Sequence, residues 1–127
     1  MIYSFRNTLL LIALLMIFSG CIHAQEKTTQ KNILIVYLSR TNNTKAVAEI
    51  IHQQVGGKLV ALELQNPYPE NYKATVDKVA KENGMSYLPL LKTKVDNVDQ
   101  YDIVFIGFPT WGMQLPPPMK SFCTSTT

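Results

Sequence analysis

The chain has 127 residues and a formal net charge of +3, a length that suits one domain. So small a charge gives no reason to expect binding to nucleic acid or to an anionic surface. Its two cysteines, Cys21 and Cys123, are too few for a disulfide framework.

Residues 1–24 have the pattern of a secretory signal. A segment that contains Arg6 and no acid precedes an unbroken apolar run at residues 9–18, which is shorter than the roughly 20 residues of a membrane-spanning helix. Without residues 1–24 the formal charge falls to +2, because Arg6 is the only charged side chain removed. Residues 25–31 are polar and are predicted to be a linker to the domain that follows.

Two alternatives exist for the end of the signal. Cleavage after Ala24 would release the protein. The sequence Phe18-Ser19-Gly20-Cys21 resembles a bacterial lipoprotein box, so that a signal of residues 1–20 would leave Cys21 as an acylated N-terminus. Either way we expect export from a bacterial cytoplasm, with the protein periplasmic or lipid-anchored to the membrane.

The first strand and helix are predicted on either side of residue 40. Residues 32–38 are continuously apolar after Asn32, as expected of a parallel strand covered on both faces. After the turn, Gly56-Gly57 ends a helix. Its predicted apolar face consists of Val47, Ile50, Ile51 and Val55.

The turn between them is rich in hydrogen-bond donors: Ser39, Arg40, Thr41, Asn42, Asn43 and Thr44. Hydroxyls, amides and the unpaired N–H groups at a helix start are suited to a phosphate. The spaced glycines of a dinucleotide fingerprint and the Gly-Lys-Ser/Thr of a P-loop are absent. The alternative without a ligand is an ordinary helix start capped by Asn43 or Thr44.

The rest of the chain continues the alternation of strands and helices. A second strand is predicted at 58–64, a second helix at 70–83 ending near Gly84, and a third strand at 102–108. The apolar face of the second helix is predicted to comprise Tyr72, Val76, Val79 and Ala80. This order predicts an α/β fold, a doubly wound parallel sheet with right-handed crossovers.

The loop after the third strand contains Trp111, the only tryptophan. In the order 2-1-3-4-5 this loop and the turn 39–44 flank the switch point, where ligands bind. An indole there is suited to stack on a flat aromatic ring, which we favour over the alternative of a side chain that covers the core from a loop.

Two segments together resemble the flavodoxin family. Residues 37–45 are similar to its phosphate loop, which has a Ser/Thr-x-Thr-x-Asn-Thr pattern, and residues 107–112 to the loop that flanks its flavin. Asn66-Pro67-Tyr68-Pro69 and Tyr101-Asp102 are similar to a subfamily common in bacteria. The resemblance covers about residues 32–122.

The resemblance implies noncovalent binding of FMN and a role in electron transfer to a redox partner protein or small-molecule acceptor. The phosphate would lie on Ser39, Arg40, Thr41, Asn42, Asn43 and Thr44, and the flavin against Pro109, Thr110, Trp111 and Gly112. The flavin would do the chemistry, so no catalytic side chain and no metal are expected. The alternatives are a flavin-dependent NAD(P)H:quinone-type reductase and an inactive domain that no longer binds the cofactor.

The family fold has about five strands, and the sequence predicts three. We therefore expect residues 32–127 to form a partial flavodoxin-like domain that lacks the last two strands, with the third strand unpaired at one edge. Residues 119–122 are predicted to begin a third helix, and the polar residues that follow have no apolar face to continue it.

Overall fold

The computed structural model describes residues 30–126. The predicted signal, the two alternatives at Cys21 and Ala24, and most of the predicted linker lie outside these residues. Within residues 30–126, no helix combines the length and the apolar character needed to cross a membrane.

Three parallel strands form an open sheet. They are β1 (Ile33–Tyr37), β2 (Lys58–Ala61) and β3 (Ile103–Gly107), in the order β2-β1-β3. Strand β1 is central, and its residues 34–36 are fully buried, as the continuous apolar run predicted. The predicted doubly wound order 2-1-3 is confirmed for these strands.

Among the described residues, three α-helices cover the two faces of the sheet: α1 (Asn43–Val55), α2 (Tyr72–Gly84) and α3 (Pro117–Ser125). The main core lies on the side of α2 and α3. Its buried side chains are Leu34, Val36, Leu38, Leu62, Val79, Trp111, Met119 and Phe122. The smaller core lies under α1, and its buried side chains are Ile35, Tyr37 and Ala48. Alternate residues of β1 therefore supply opposite faces.

The predicted apolar face of α1 is largely wrong. Val47 and Ile50 are each 58% exposed, whereas Ala48 is buried and Ile51 is partly buried. Two overlapping stripes satisfy helical spacing in this segment, and the helix is rotated so that the one containing Ala48 faces the sheet. Periodicity alone could not choose between them.

Strand β2 ends earlier than predicted, because the chain at residues 62–64 pairs with another segment. Leu64 and Leu91 form an isolated antiparallel bridge. The Thr93 hydroxyl donates to the Ala61 carbonyl at 2.9 Å and accepts from the Glu63 amide at 2.9 Å. This irregular segment covers the end of the outer edge of β2, a position where an exposed strand would otherwise present unpaired backbone groups.

The third helix begins earlier and ends later than predicted. Pro117 and Pro118 occupy its first turn and are buried, in the one part of a helix where proline costs no hydrogen bond. The helix continues to Ser125 although the residues after Phe122 are polar. The hydroxyls of Thr124 and Ser125 bond to carbonyls of the helix itself, those of Lys120 and Phe122.

Candidate functional site

The carboxyl ends of the three strands meet at one edge of the sheet. The Leu38 amide donates to the Gly107 carbonyl at 2.8 Å, and the Leu62 amide donates to the Tyr37 carbonyl at 2.7 Å. The turn after β1 is therefore flanked by the loops after β2 and β3. This is the edge at which ligands of open α/β sheets bind.

The turn at residues 39–44 leaves a group of backbone donors unused. Asn42 is the N-cap residue, in the left-handed region with φ 63°, and its side chain forms no capping hydrogen bond. Asn43 and Thr44 already lie in the helix, so neither is the cap that the ligand-free alternative required. The Lys45 amide donates to Ser39 Oγ at 3.3 Å.

The four backbone amides that precede Lys45 in the chain have no such partner among the described residues. Within residues 30–126, the backbone N–H groups of Thr41, Asn42, Asn43 and Thr44 donate to no protein acceptor. Free amides at a helix start carry the positive end of the helix dipole, which favours an anion. The arrangement is suited to a phosphate.

The charges around the turn do not compete with an anion. The first turn of α1 contains no acidic residue. Arg40 is directed elsewhere, since its Nη1 donates to the Glu70 carbonyl at 3.0 Å and its guanidinium lies 5.3 Å from the Tyr72 ring centroid. Lys45 forms an exposed ion pair with Glu49 at 3.8 Å. The donors that remain for a phosphate are mainly amides and hydroxyls.

Gly107 allows the end of β3 to lie against this turn. A Cβ atom at Gly107 would lie 3.1 Å from Thr44 Cγ2 and 3.5 Å from Tyr37 Cβ. The first contact is closer than ordinary van der Waals distance, so a side chain here would push Thr44 away. The turn and the loop after β3 therefore start from adjoining backbone positions.

Trp111 is buried in the loop that follows β3. Its side chain is 4% exposed and belongs to the main core. Its ring meets Tyr68 edge-to-face, with the centroids 5.7 Å apart and an interplanar angle of 68°. In this structure the indole covers the core from the loop, which is the role given above as the alternative to stacking on a ring. Contact of Trp111 with a flavin stays a prediction.

The other predicted flavin contacts lie around it. Pro109 is partly buried, and Thr110 and Gly112 are exposed. Gly112 has φ 65°, a left-handed conformation that glycine adopts without strain. The loop thus presents backbone and small side chains beside the buried indole.

A cleft of about 690 Å³ links the two loops. Ser39 and Arg40 line it on the side of the phosphate turn, Trp111 on the side of β3, and Tyr68 from the loop after β2. Pockets for small ligands span roughly 300–1,000 Å³. Of the predicted site residues, Ser39, Arg40 and Trp111 line this cleft, and most of its remaining lining belongs to the loop after β2.

Partly buried Tyr68 and buried Glu82 form a polar pair that the sequence did not predict. The Tyr68 hydroxyl donates to Glu82 Oε2 at 2.5 Å, and Lys78 Nζ lies 3.5 Å from Glu82 Oε1. Burial, and then the hydrogen bond and charge of Glu82, raise the pKa of the Tyr68 phenol far above its usual value. A signal for Glu82 was available, because it shares the core-facing stripe of α2 with Thr75 and Val79.

A comparison with family models decides the identity of the fold. The model described as flavodoxin matches residues 32–127. The chain belongs to the flavodoxin family. Among curated protein sequences, none is similar enough to this chain to count as a match.

Solved structures similar to this flavodoxin-family chain include two from Bacteroides. A candidate flavoprotein from Bacteroides uniformis has 23% identity and a TM-score of 0.68, over 76% of this chain and 65% of that chain. One from Bacteroides eggerthii has 29% identity and a TM-score of 0.68, over 76% and 64%.

A third similar structure is a flavoprotein in complex with FMN from Lactobacillus acidophilus, with 22% identity and a TM-score of 0.69 over 75% of this chain and 66% of that chain. The chain thus spans less than two thirds of the length of each of these proteins.

Within residues 30–126, no group of three or more His, Cys, Asp or Glu side chains is placed to hold a metal ion.

Proposed function

We propose that this chain binds FMN, with the phosphate on residues 39–44 and the ring beside residues 109–112. The observation that carries the proposal is the row of four free amides at the start of α1, in a flavodoxin-family chain. A phosphate dianion needs several donors, and fixed amides provide them without conformational cost. The hydroxyls of Ser39, Thr41 and Thr44 can add further bonds.

We further propose a role in electron transfer, with a redox protein or a small molecule as the partner. FMN would supply the redox chemistry, and the chain would bind it, orient it and set its potential. A dianionic phosphate and an apolar surround both disfavour added negative charge on the ring, which lowers the potential. The cleft next to Trp111 and Tyr68 contains apolar side chains, Leu38, Leu62 and Pro67 among them.

A comparison of FMN with riboflavin tests the phosphate site directly. The purified chain is titrated into each flavin and the quenching of flavin fluorescence is recorded. We expect FMN to bind at least about tenfold more tightly, since several charge-assisted hydrogen bonds are lost with the phosphate. Equal affinities would contradict the phosphate site, and no quenching of either flavin would contradict FMN binding by this chain.

The electron-transfer role has its own measurement. The midpoint potential of bound FMN, from a dithionite titration, should lie below that of free FMN. Rapid consumption of NADH or NADPH in the presence of a quinone would instead favour the reductase alternative. A potential equal to that of free FMN would contradict the electrostatic argument.

We also propose that the protein is exported, either into the periplasm or to a lipid anchor at Cys21. The support is the pattern of residues 1–24 in the sequence. Metabolic labelling with palmitate separates the two alternatives. Label that disappears in Cys21→Ala supports the anchor, and an unlabelled mature protein beginning at residue 25 supports cleavage after Ala24.

A further inference from the structure

The carboxylate of Glu82 is buried on α2, outside the turn at residues 39–44. It is 5% exposed, and a buried carboxylate is costly unless its oxygens are paired. The pairing comes from Tyr68, at 2.5 Å, and from Lys78, at 3.5 Å. A hydrogen bond from a hydroxyl to a carboxylate is among the stronger and more directional contacts in proteins.

This hydrogen bond fixes the ring of Tyr68, and that ring is what Trp111 packs against. The two rings meet at 5.7 Å and 68°, a favourable edge-to-face geometry. Lys78 Nζ also lies 5.7 Å from the centroid of the Tyr68 ring, so the same ammonium contacts both members of the pair. Three separate segments, α2 and the loops after β2 and β3, therefore converge on one phenol.

The Trp111 loop has few bonds of its own. Met113 donates to the Thr110 carbonyl at 3.4 Å and Trp111 to the Pro109 carbonyl at 3.0 Å, while Gly112 and Met113 both have positive φ. Within residues 30–126, the indole N–H donates to no protein acceptor. Packing alone therefore holds the indole in place.

We propose that Tyr68 and Glu82 are a positioning pair, which holds the Trp111 indole and thereby sets the shape of the loop 109–112 at the flavin edge. The proposal rests on the proposed FMN function for its consequence in binding. Its first step, the control of Trp111 by Tyr68, is a property of the chain without any ligand. Neither residue needs to touch FMN.

The only tryptophan in the chain makes the first step measurable by itself. Tyr68→Phe removes one oxygen atom and leaves the ring. We expect acrylamide to quench Trp111 more strongly, with the population of molecules whose indole is accessible to the quencher raised about tenfold or more, because a hydrogen bond to a charged group contributes about 1.5 kcal/mol or more. Tyr87→Phe is the matched control. Tyr87 lies close enough to contribute to the raised pKa of Tyr68, but it is half exposed and its hydroxyl donates to no acceptor within residues 30–126.

Glu82 provides a test that separates positioning from mere folding. Glu82→Gln keeps an oxygen that accepts from Tyr68, so Trp111 quenching should stay near that of the wild type. Glu82→Leu removes the acceptor and should match Tyr68→Phe. Unchanged quenching in both Tyr68→Phe and Glu82→Leu would overturn the proposal. So would complete loss of far-UV circular dichroism in Tyr68→Phe, since the pair would then support the whole domain rather than one loop.

FMN titration then tests the second step. We expect Tyr68→Phe to weaken FMN binding about tenfold relative to Tyr87→Phe, with Glu82→Gln again near the wild type. A changed Trp111 signal with unchanged FMN affinity would refute the link between the loop and the flavin. Failure of the wild-type chain to bind FMN would refute the proposed function, and the quenching series without ligand would still decide the role of Tyr68 and Glu82.

Discussion

Gly57 lies where the chain leaves α1 and enters β2, and its backbone passes close to the start of β1. A Cβ atom at this position would lie 2.5 Å from the Ile33 carbonyl oxygen and 2.7 Å from Ile33 Cβ. Both are atoms of a strand in the centre of the sheet, so they cannot move without shifting β1. We predict that Gly57→Ala destabilises the domain strongly.

Gly56 provides a neighbour that also has a positive φ but whose added Cβ atom would make no steric contact. Gly56 has φ 70° and Gly57 has φ 89°, and a Cβ atom at Gly56 would have no atom within 4 Å. Each substitution carries backbone strain of about 1–3 kcal/mol. Gly57→Ala adds overpacking of about 1–3 kcal/mol, so the difference between the two variants reports mainly the close approach to Ile33.

Urea unfolding followed by far-UV circular dichroism measures this difference. With a slope of about 1 kcal/mol per molar urea for a small domain, the midpoint of Gly57→Ala should lie about 1–3 M below that of Gly56→Ala. Equal midpoints would show that backbone conformation accounts for the whole effect. A lower midpoint for Gly56→Ala would refute the packing of the α1–β2 junction against β1.

Two further predictions concern the site. Gly107→Ala should weaken FMN binding about fivefold, because its Cβ atom displaces Thr44. Adding Thr44→Ser, which lacks Cγ2, should restore the affinity. If the double variant binds FMN no more tightly than Gly107→Ala, the contact with Thr44 is not the cause. The raised pKa of Tyr68 means that the folded chain keeps the phenol protonated while the unfolded chain loses the proton above about pH 10. The contribution of Tyr68 to the free energy of unfolding should therefore be complete below about pH 10 and decline above it. Urea unfolding at several pH values should show a smaller decline for Tyr68→Phe than for the wild type. Equal declines would contradict the raised pKa of Tyr68.

Local pattern was sufficient to predict the three strands and the donor-rich turn at residues 39–44. Both faces of the strand at residues 33–37 are covered, so its burial does not depend on how it is aligned with its neighbouring strands. The turn at residues 39–44 was also predictable, because free amides follow from the strand–helix junction itself. The helix cap is nevertheless Asn42, in a left-handed conformation, rather than Asn43 or Thr44.

Helix rotation could not be predicted in the same way. In α1 the exposed pair Val47 and Ile50 is more apolar than the buried Ala48, so hydrophobicity favours the wrong stripe. The rotation of α1 is set instead by how closely the helix backbone approaches the sheet. Small Ala48 faces the sheet, and Thr44 lies against Gly107, a contact between residues far apart in the sequence. Such shape constraints leave no periodic signal.

The two halves of the candidate site are therefore held by different means. The half proposed for the phosphate consists of four free amides at one helix start, and such amides follow from a strand–helix junction. The ring half depends on Trp111, whose position depends on Tyr68 and in turn on Glu82. Those partners lie on other segments and touch only after folding. The sequence can thus indicate the phosphate half by local chemistry, whereas the orientation of the indole is a property of the tertiary structure.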